Sequence, residues 1–329
     1  MSIFWSNQID SESGPYKVLI KRGEFIDPSR RNDDGSTRVV PYKLYYPSGD
    51  GVTSCPVILW SHGLGGSRDG ASFLARYVAS FGYVIVHMTH FGTDSSLWEG
   101  QQGHPWDVIK GIKITRTTTL NRYKDVSFVI DQLYGWIKEN PDVGAIMDMT
   151  RLGLCGHSFG AITTQVAAGQ LTPDEDGQLM GLREPRVKAA IAYSPVPGTS
   201  HLSKDTEEAT RSNIYKSISI PMLHMTGTDD SSPLNGIGYE SRLLVYENTV
   251  NAPKALLVKH GGDHMVYNGT RGALAANPLR DRHECIVRMI SLAWWDAWLC
   301  GSEAAKSWLL ESDRVQGYLR ADADLKVQF

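Results

Sequence analysis

The chain has 329 residues, of which 41% are hydrophobic and 32 are glycine, so it can bury a large core. Its formal net charge is only −3, with acidic and basic residues interspersed, and this excludes the basic face that a nucleic acid or an anionic membrane would require. We expect one large domain over residues 1–329, with a small or weakly charged partner.

The N-terminus and the cysteines indicate the cellular compartment in which we expect the protein. The first ten residues lack the basic start and the apolar run of an export signal, and no segment reaches the eighteen apolar residues of a membrane span. The cysteines show no C-x-x-C spacing, so we expect reduced thiols. These features predict a cytoplasmic protein with no integral membrane segment. The four cysteines are Cys55, Cys155, Cys285 and Cys300.

The chain opens with an antiparallel pair, predicted over residues 16–20 and 38–46 with the polar, turn-rich run 27–35 between them. The short apolar runs 56–60 and 83–88 follow, and residues 72–81 between them have helical spacing. Continuous apolar runs are typical of strands that are covered on both faces, so this segment predicts a βαβ unit.

The alternation of strands and helices continues to the end of the chain. It predicts an α/β protein with a mostly parallel, eight-stranded, doubly wound sheet, in which a site belongs at the carboxyl ends of the strands. Residues 171–185 and 198–216 interrupt the alternation, and we leave open whether they form a partial lid or solvated loops. The further predicted helices cover residues 121–139, 161–166, 240–246 and 281–299, and the further strands cover 152–155, 187–193, 222–225 and 255–258.

The motif Gly156-His157-Ser158-Phe159-Gly160 lies between a predicted strand and a predicted helix. A nucleophile on such a tight turn needs small neighbours, which spare the strained backbone a Cβ clash and let the helix pack closely. The pattern alone is weak evidence because it also describes a glycine-rich turn. It becomes strong if an acid, a base and oxyanion donors follow in the right places.

An acid and a base follow two later strands, in the order that a serine nucleophile of this architecture requires. We choose Asp230 as the acid from its spacing to Gly227 and Pro233, and Asp229 remains the alternative. We choose His264 as the base because it lies on a glycine-loosened loop. The other histidines nearby, His260 at a strand end and His283 in the last helix, fit packing roles better.

Two backbone amides are needed for an oxyanion hole. Phe159 supplies one as the residue after the serine. The loop Ser61-His62-Gly63-Leu64-Gly65-Gly66 follows a predicted strand, and Leu64 is the expected second donor because glycines flank it.

These motifs together resemble the α/β-hydrolase superfamily, nearest the branch of platelet-activating-factor acetylhydrolases and dienelactone-hydrolase-like esterases. The resemblance runs from about residue 42 to residue 308. It implies the α/β-hydrolase fold and a serine carboxylic-ester hydrolase with Ser158, Asp230 and His264 as its triad. Dienelactone hydrolases themselves use a cysteine nucleophile, so the serine here favours ordinary esters.

The substrate is less well defined by the sequence. The segment that holds His90, Trp98 and Trp106 follows a strand on the active edge, so we expect these residues to line the pocket. The pair His87 and His90 lacks a third ligand, and we expect neither metal nor cofactor. The predicted substrate is a small or short-acyl ester. A polyester hydrolase and a catalytically silent binding protein are the alternatives, and the oligomeric state is left open.

Overall fold

The structure is a computed structural model that describes residues 5, 12–202, 208–234, 236–269 and 276–329. A nine-stranded sheet runs through the described residues, in the order β1-β2-β4-β3-β5-β8-β9-β10-β11, and a short hairpin pairs β6 with β7. The strands are β1 (Lys17–Arg31), β2 (Thr37–Ser48), β3 (Cys55–Ser61), β4 (Val84–Met88), β5 (Met147–His157), β6 (Thr172–Pro173), β7 (Leu179–Met180), β8 (Val187–Tyr193), β9 (Met222–Asp229), β10 (Lys254–Asp263) and β11 (Ala323–Gln328).

The six central strands of this sheet, from β4 to β10, are parallel, whereas β1, β2 and β11 at the edges pair antiparallel. Parallel strands need a crossover between them, and helices supply it. The carboxyl ends of the six strands therefore lie along one edge of the sheet, where loops from separate parts of the chain converge.

Helices cover both faces of the sheet, because successive side chains of a strand point to opposite faces. On β3, Ile58 and Trp60 pack into one buried apolar cluster, whereas Val57 and Leu59 pack into another. The helices are α1 (Ser72–Ser80), α2 (Pro105–Lys110), α3 (Arg116–Glu139), α4 (Pro141–Gly144), α5 (Phe159–Ala168), α6 (Glu208–Asn213), α7 (Tyr239–Asn248), α8 (Arg280–Trp298), α9 (Glu303–Leu310) and α10 (Ser312–Leu319). Residues of α1 and α8 belong to the cluster with Trp60, and residues of α3 belong to the cluster with Leu59.

The α/β class and the mostly parallel sheet are confirmed, but the count of eight strands is wrong. The ninth strand, β11, alternates apolar Ala323, Leu325 and Val327 with polar residues, and pairs with β10. The chain also continues past α8 through α9 and α10 to reach that edge, although α8 was predicted as its last element.

The opening strand is also longer than predicted. The predicted turn at 27–35 includes the last residues of β1, and the chain reverses only between Arg31 and Thr37. The polar end of β1 can form a strand because β1 lies at the edge of the sheet. Its charged side chains also have partners, since Arg30 pairs with Asp27 at 2.6 Å and with Asp125 of α3 at 3.0 Å.

The two interruptions of the alternation differ in form. Residues 171–185 contain the β6-β7 hairpin, which Arg116 of α3 contacts through the Thr172 hydroxyl at 2.7 Å. In the interruption at 198–216, residues 203–207 lie outside the described part of the chain. Of the helices in the described ranges, none combines the length and the apolar character that a membrane span requires.

Candidate active site

Ser158 occupies a strained turn between β5 and α5. Its φ of 56° and ψ of −113° lie in a region that side chains other than glycine's rarely adopt, and its amide donates to the Tyr193 carbonyl at 2.9 Å. A Cβ added to Gly160 would lie 1.9 Å from the Ser61 carbonyl oxygen, and one added to Gly156 would lie 2.3 Å from the Gly160 oxygen. The two glycines of the motif are therefore required by backbone packing around the serine.

A continuous hydrogen-bonded chain links Ser158, His264 and Asp230. The Nε2 atom of His264 lies 3.1 Å from the Ser158 hydroxyl, and its Nδ1 atom lies 2.7 Å from Oδ1 of Asp230. Asp230 follows β9 and His264 follows β10, so two neighbouring parallel strands deliver the acid and the base to the edge where β5 delivers the serine.

The environment of Asp230 keeps its carboxylate ionised. The side chain is fully buried, and burial alone would raise its pKa. The hydrogen bond from His264 and the charges of His264 and Arg242 outweigh burial, so the pKa of Asp230 lies well below its ordinary value. The other carboxylate oxygen accepts from the hydroxyls of Ser194 at 2.6 Å and Thr226 at 2.9 Å.

The other candidates for the acid and the base do not take part in the hydrogen bonds that link Ser158, His264 and Asp230. Asp229 is exposed. His260 contacts the Asp324 carboxylate at 2.9 Å and the Ala321 carbonyl at 2.8 Å, both on the β11 side of the sheet. His283 lies 3.0 Å from the His260 carbonyl oxygen. The two histidines therefore have partners other than Ser158, and the Asp229 side chain faces solvent.

The glycine loop after β3 lies against the serine. A Cβ added to Gly63 would lie 3.5 Å from Cβ of Ser158. The Gly63 carbonyl accepts hydrogen bonds from Nδ1 of His62 at 2.7 Å and from the Gly66 amide at 3.0 Å. In the described part of the chain, no hydrogen bond uses the Leu64 amide. The Phe159 amide opens α5, and the first amides of a helix have no partner within it.

A cavity of about 390 Å³ adjoins this loop and Met265, the residue after His264. Trp98 and Trp106 line it, and their contact with substrate stays a prediction. The indole N–H of Trp98 donates to the Gly65 carbonyl at 2.7 Å, so this side chain also holds the glycine loop. The other apolar residues that line the cavity are Trp60, Leu64, Pro105, Ile109 and Met265, and the polar residues that line it include Ser67, Ser95, Glu99 and Asn268.

His90 does not line this cavity, contrary to the expectation from the sequence. Its side chain is fully buried, with Nε2 2.9 Å from the Ser61 hydroxyl and Nδ1 2.8 Å from the Asp125 carboxylate. Its backbone amide donates to Nε2 of His62 at 3.0 Å. His90 turns inward because buried polar groups on β3 and α3 need partners.

Arg122 of α3 was not identified from the sequence, although it lies directly behind the glycine loop. Its guanidinium donates to the Ser61 hydroxyl at 2.9 Å and to the His62 carbonyl, and it lies 4.6 Å from the centre of the Phe159 ring. Burial lowers the pKa of Arg122 to about 9. Arg122 thus fixes the first residues of the glycine loop and contacts the side chain that follows Ser158. Within a helix, its sequence position carries no signal that separates it from a surface arginine.

Within the described ranges, no group of three or more His, Cys, Asp or Glu side chains could hold a metal ion. His87 contacts the Arg68 carbonyl at 3.2 Å and stacks on Trp60, and His90 is engaged as described above.

Two family models match different parts of the chain. A model described as serine hydrolase (FSH1) matches residues 119–271, which include Ser158, Asp230 and His264. A model described as platelet-activating factor acetylhydrolase, isoform II, matches residues 34–101, which include the glycine loop. No curated protein sequence matches the chain. The fold is of the α/β-hydrolase type, and the two matched segments make the chain similar to a serine hydrolase and to a platelet-activating factor acetylhydrolase.

Proposed function

We propose that this protein is a serine carboxylic-ester hydrolase that acts through an acyl-enzyme on small or short-acyl esters. The observation that carries the proposal is the hydrogen-bonded chain from Ser158 through His264 to Asp230, with the serine on a strained turn. In this proposal Ser158 is the nucleophile, His264 is the general base and Asp230 orients His264. The steps use protein groups and water.

In the first step, Nε2 of His264 removes the Ser158 hydroxyl proton while the serine oxygen attacks the ester carbonyl. The carbonyl oxygen becomes negative as the tetrahedral intermediate forms, and the amides of Leu64 and Phe159 donate to it. The intermediate collapses when the bond to the alcohol oxygen breaks. His264 gives its proton to that oxygen, the alcohol leaves, and the acyl group stays on Ser158.

In the second step, water takes the place of the alcohol. His264 removes a proton from the water, which attacks the acyl carbonyl, and a second tetrahedral intermediate forms at the same amides. Its collapse breaks the bond to the Ser158 oxygen and releases the carboxylic acid. His264 returns the proton to Ser158, so the enzyme ends each cycle in its starting protonation state.

The cavity beside the glycine loop supports an ester with an apolar group. Its wall holds Trp98 and Trp106, and it adjoins both Leu64 and the residue that follows His264. A largely apolar cavity with a few polar groups favours an apolar ligand that is positioned by those groups. We therefore propose that the acyl part of the ester enters this cavity.

Hydrolysis of p-nitrophenyl esters from acetate to palmitate tests the proposal. The wild type should hydrolyse the short esters, and Ser158→Ala should lose activity by several orders of magnitude. Ser36→Ala, which changes an exposed serine in the turn between β1 and β2, serves as the matched control and should keep wild-type rates. A wild type that is inactive on every ester would favour the silent binding protein, and full activity in Ser158→Ala would require another nucleophile.

A further inference from the structure

A fourth side chain, the guanidinium of Arg242 on α7, contacts both the acid and the base of the proposed triad. Its Nε atom lies 3.0 Å from Oδ1 of Asp230, and its Nη2 atom lies 3.2 Å from Nδ1 of His264. We propose that Arg242 is a positioning residue, which neutralises and aims the Asp230 carboxylate and thereby keeps His264 in the neutral form that Ser158 needs. The inference rests on the proposed hydrolase function.

The arginine is held in place by backbone carbonyls. Nη1 donates to the carbonyls of Ser194 at 3.2 Å and Pro195 at 3.0 Å, and Nη2 donates to the Ile237 carbonyl at 3.2 Å. Nε lies 3.0 Å from the Asp230 carbonyl oxygen as well. The loops after β8 and β9 are therefore tied to α7 through one rigid fork of donors, which lysine cannot reproduce.

Charge compensation is the first role of this contact. Both Arg242 and Asp230 are removed from solvent, with exposed fractions of 1% and 0%. An unpaired buried carboxylate is strongly unfavourable, and an opposite charge with good geometry compensates for it. Arg242 also lowers the pKa of Asp230, behind the larger effects of burial and of His264. Arg242 thus adds to the effect of His264 in keeping the acid ionised.

The second role follows from the contact with His264. When Nδ1 of His264 carries its proton toward Asp230, Nη2 of Arg242 and Nδ1 are both donors and the contact is not a hydrogen bond. A fixed positive charge 3.2 Å from the ring opposes a second positive charge there. In this proposal, Arg242 favours the neutral imidazole, which is the form that can accept the Ser158 proton.

Other titratable groups also lie around His264 and Asp230. The His157 ring lies 4.6 Å from the His264 ring, and burial holds the pKa of His157 well below its ordinary value, so His157 is neutral. Asp263, the preceding residue, is paired with Arg280 at 2.8 Å. Further groups on the neighbouring strand β10 and the turn after it are Lys259 and Tyr267, which hydrogen-bond to each other.

Two variants separate the effect of the Arg242 charge from a purely structural role of its hydrogen bonds. Arg242→Lys keeps a positive charge but loses the fork, whereas Arg242→Met keeps an unbranched chain of similar length and loses the charge. If Arg242 had only a structural role, both variants would lose kcat, and their pH profiles would not differ. The proposal predicts that only the methionine variant changes the pH dependence.

The experiment measures kcat and KM for p-nitrophenyl acetate from pH 5 to 9 with wild type, Arg242→Lys, Arg242→Met and Ser158→Ala. We expect Arg242→Met to lose kcat by about tenfold or more at the plateau, with KM nearly unchanged. Its acid limb of kcat/KM should move to higher pH by about one unit, because the opposing charge is gone. Arg242→Lys should keep the wild-type acid limb.

Coincident acid limbs in wild type and Arg242→Met would overturn the inference, as would a shifted limb in Arg242→Lys. The lysine variant decides the question if the methionine variant does not fold. Failure of the proposed function has a different signature, because Ser158→Ala would then be as active as the wild type whatever the arginine variants do.

Discussion

The imidazole Nδ1 of His62 donates to the carbonyl oxygen of Gly63 at 2.7 Å, while Nε2 of His62 accepts from the His90 amide. Burial, followed by the charge of Arg122, holds the pKa of His62 well below its ordinary value, so the ring stays neutral with its proton on Nδ1. The Gly63 carbonyl and the Leu64 amide belong to one planar trans peptide and point in opposite directions. His62 therefore fixes the direction of the Leu64 N–H, the proposed oxyanion donor.

The first prediction concerns this restraint. His62→Ala should reduce kcat on p-nitrophenyl acetate by about tenfold or more and leave KM nearly unchanged, because the oxyanion contact forms only as charge develops. Steady-state kinetics on the purified variant measure both constants. His260→Ala, which removes a half-exposed histidine on the β11 side, is the control and should match the wild type. A rise in KM with kcat intact would show that His62 serves ground-state binding instead.

The second prediction uses the adjacent carboxylates. Asp230→Asn should lower kcat by about 10⁴-fold, because the amide favours the wrong tautomer of His264. Asp229→Asn changes the neighbouring exposed carboxylate and should leave kcat within about twofold. The comparison is made with p-nitrophenyl acetate at pH 8. Equal losses in the two variants would point to the loop as a whole, and a larger loss in Asp229→Asn would reverse the assignment.

The structural features that the sequence predicts correctly are those with strong local signals. The motif around Ser158 predicts the strained turn because only glycines fit at Gly156 and Gly160. The apolar runs predict the parallel strands, and the loops that follow them bring Asp230 and His264 to one edge. Short-range pattern and chain order are sufficient for these features.

The features that escape prediction depend on contacts between distant parts of the chain. Arg242 and Arg122 are arginines within helices, where the usual role is a surface charge, and only the packed fold shows that both are buried. His90 follows a strand on the active edge, but it turns toward Ser61 and Asp125 and not toward the cavity. A sequence pattern does not specify which polar partner a buried side chain will find.

The third prediction tests the cavity. Trp106→Ala removes an aromatic wall from the cavity of about 390 Å³, so longer acyl chains should fit. We expect the ratio of kcat/KM for p-nitrophenyl octanoate to that for the acetate to rise by about tenfold or more. Lys110→Ala, an exposed change on the same helix, should leave the ratio unchanged. An unchanged ratio in Trp106→Ala would mean that the acyl chain binds elsewhere.

The fourth prediction concerns stability and pH. His224 on β9 is fully buried, and burial lowers its pKa to about 3 from an ordinary value of 6.5. As the pH falls from 6.5 toward about 3, the unfolded chain takes up a proton at His224, whereas the folded chain does not. The free energy of unfolding should therefore decrease toward low pH, by at most about 1.4 kcal/mol per pH unit from this residue.

Urea unfolding of wild type and His224→Phe at pH 7, 6, 5 and 4 measures this contribution. The variant should lose less stability than the wild type between pH 6 and pH 4, because phenylalanine does not titrate. His260→Ala is the control of opposite sign: the hydrogen bond that His260 donates to Asp324 raises the pKa of His260, so removing this histidine should not reduce the loss of stability toward low pH. Identical slopes in wild type and His224→Phe would contradict the assignment.

The most direct test of the proposed mechanism is covalent labelling by a fluorophosphonate, followed by mass spectrometry of the intact protein and of its peptides. We expect a single adduct, carried by the peptide that contains Ser158, with labelling abolished in Ser158→Ala and strongly slowed in His264→Ala. An unlabelled wild type, or an adduct on any other residue, would contradict the assignment of Ser158 as the nucleophile.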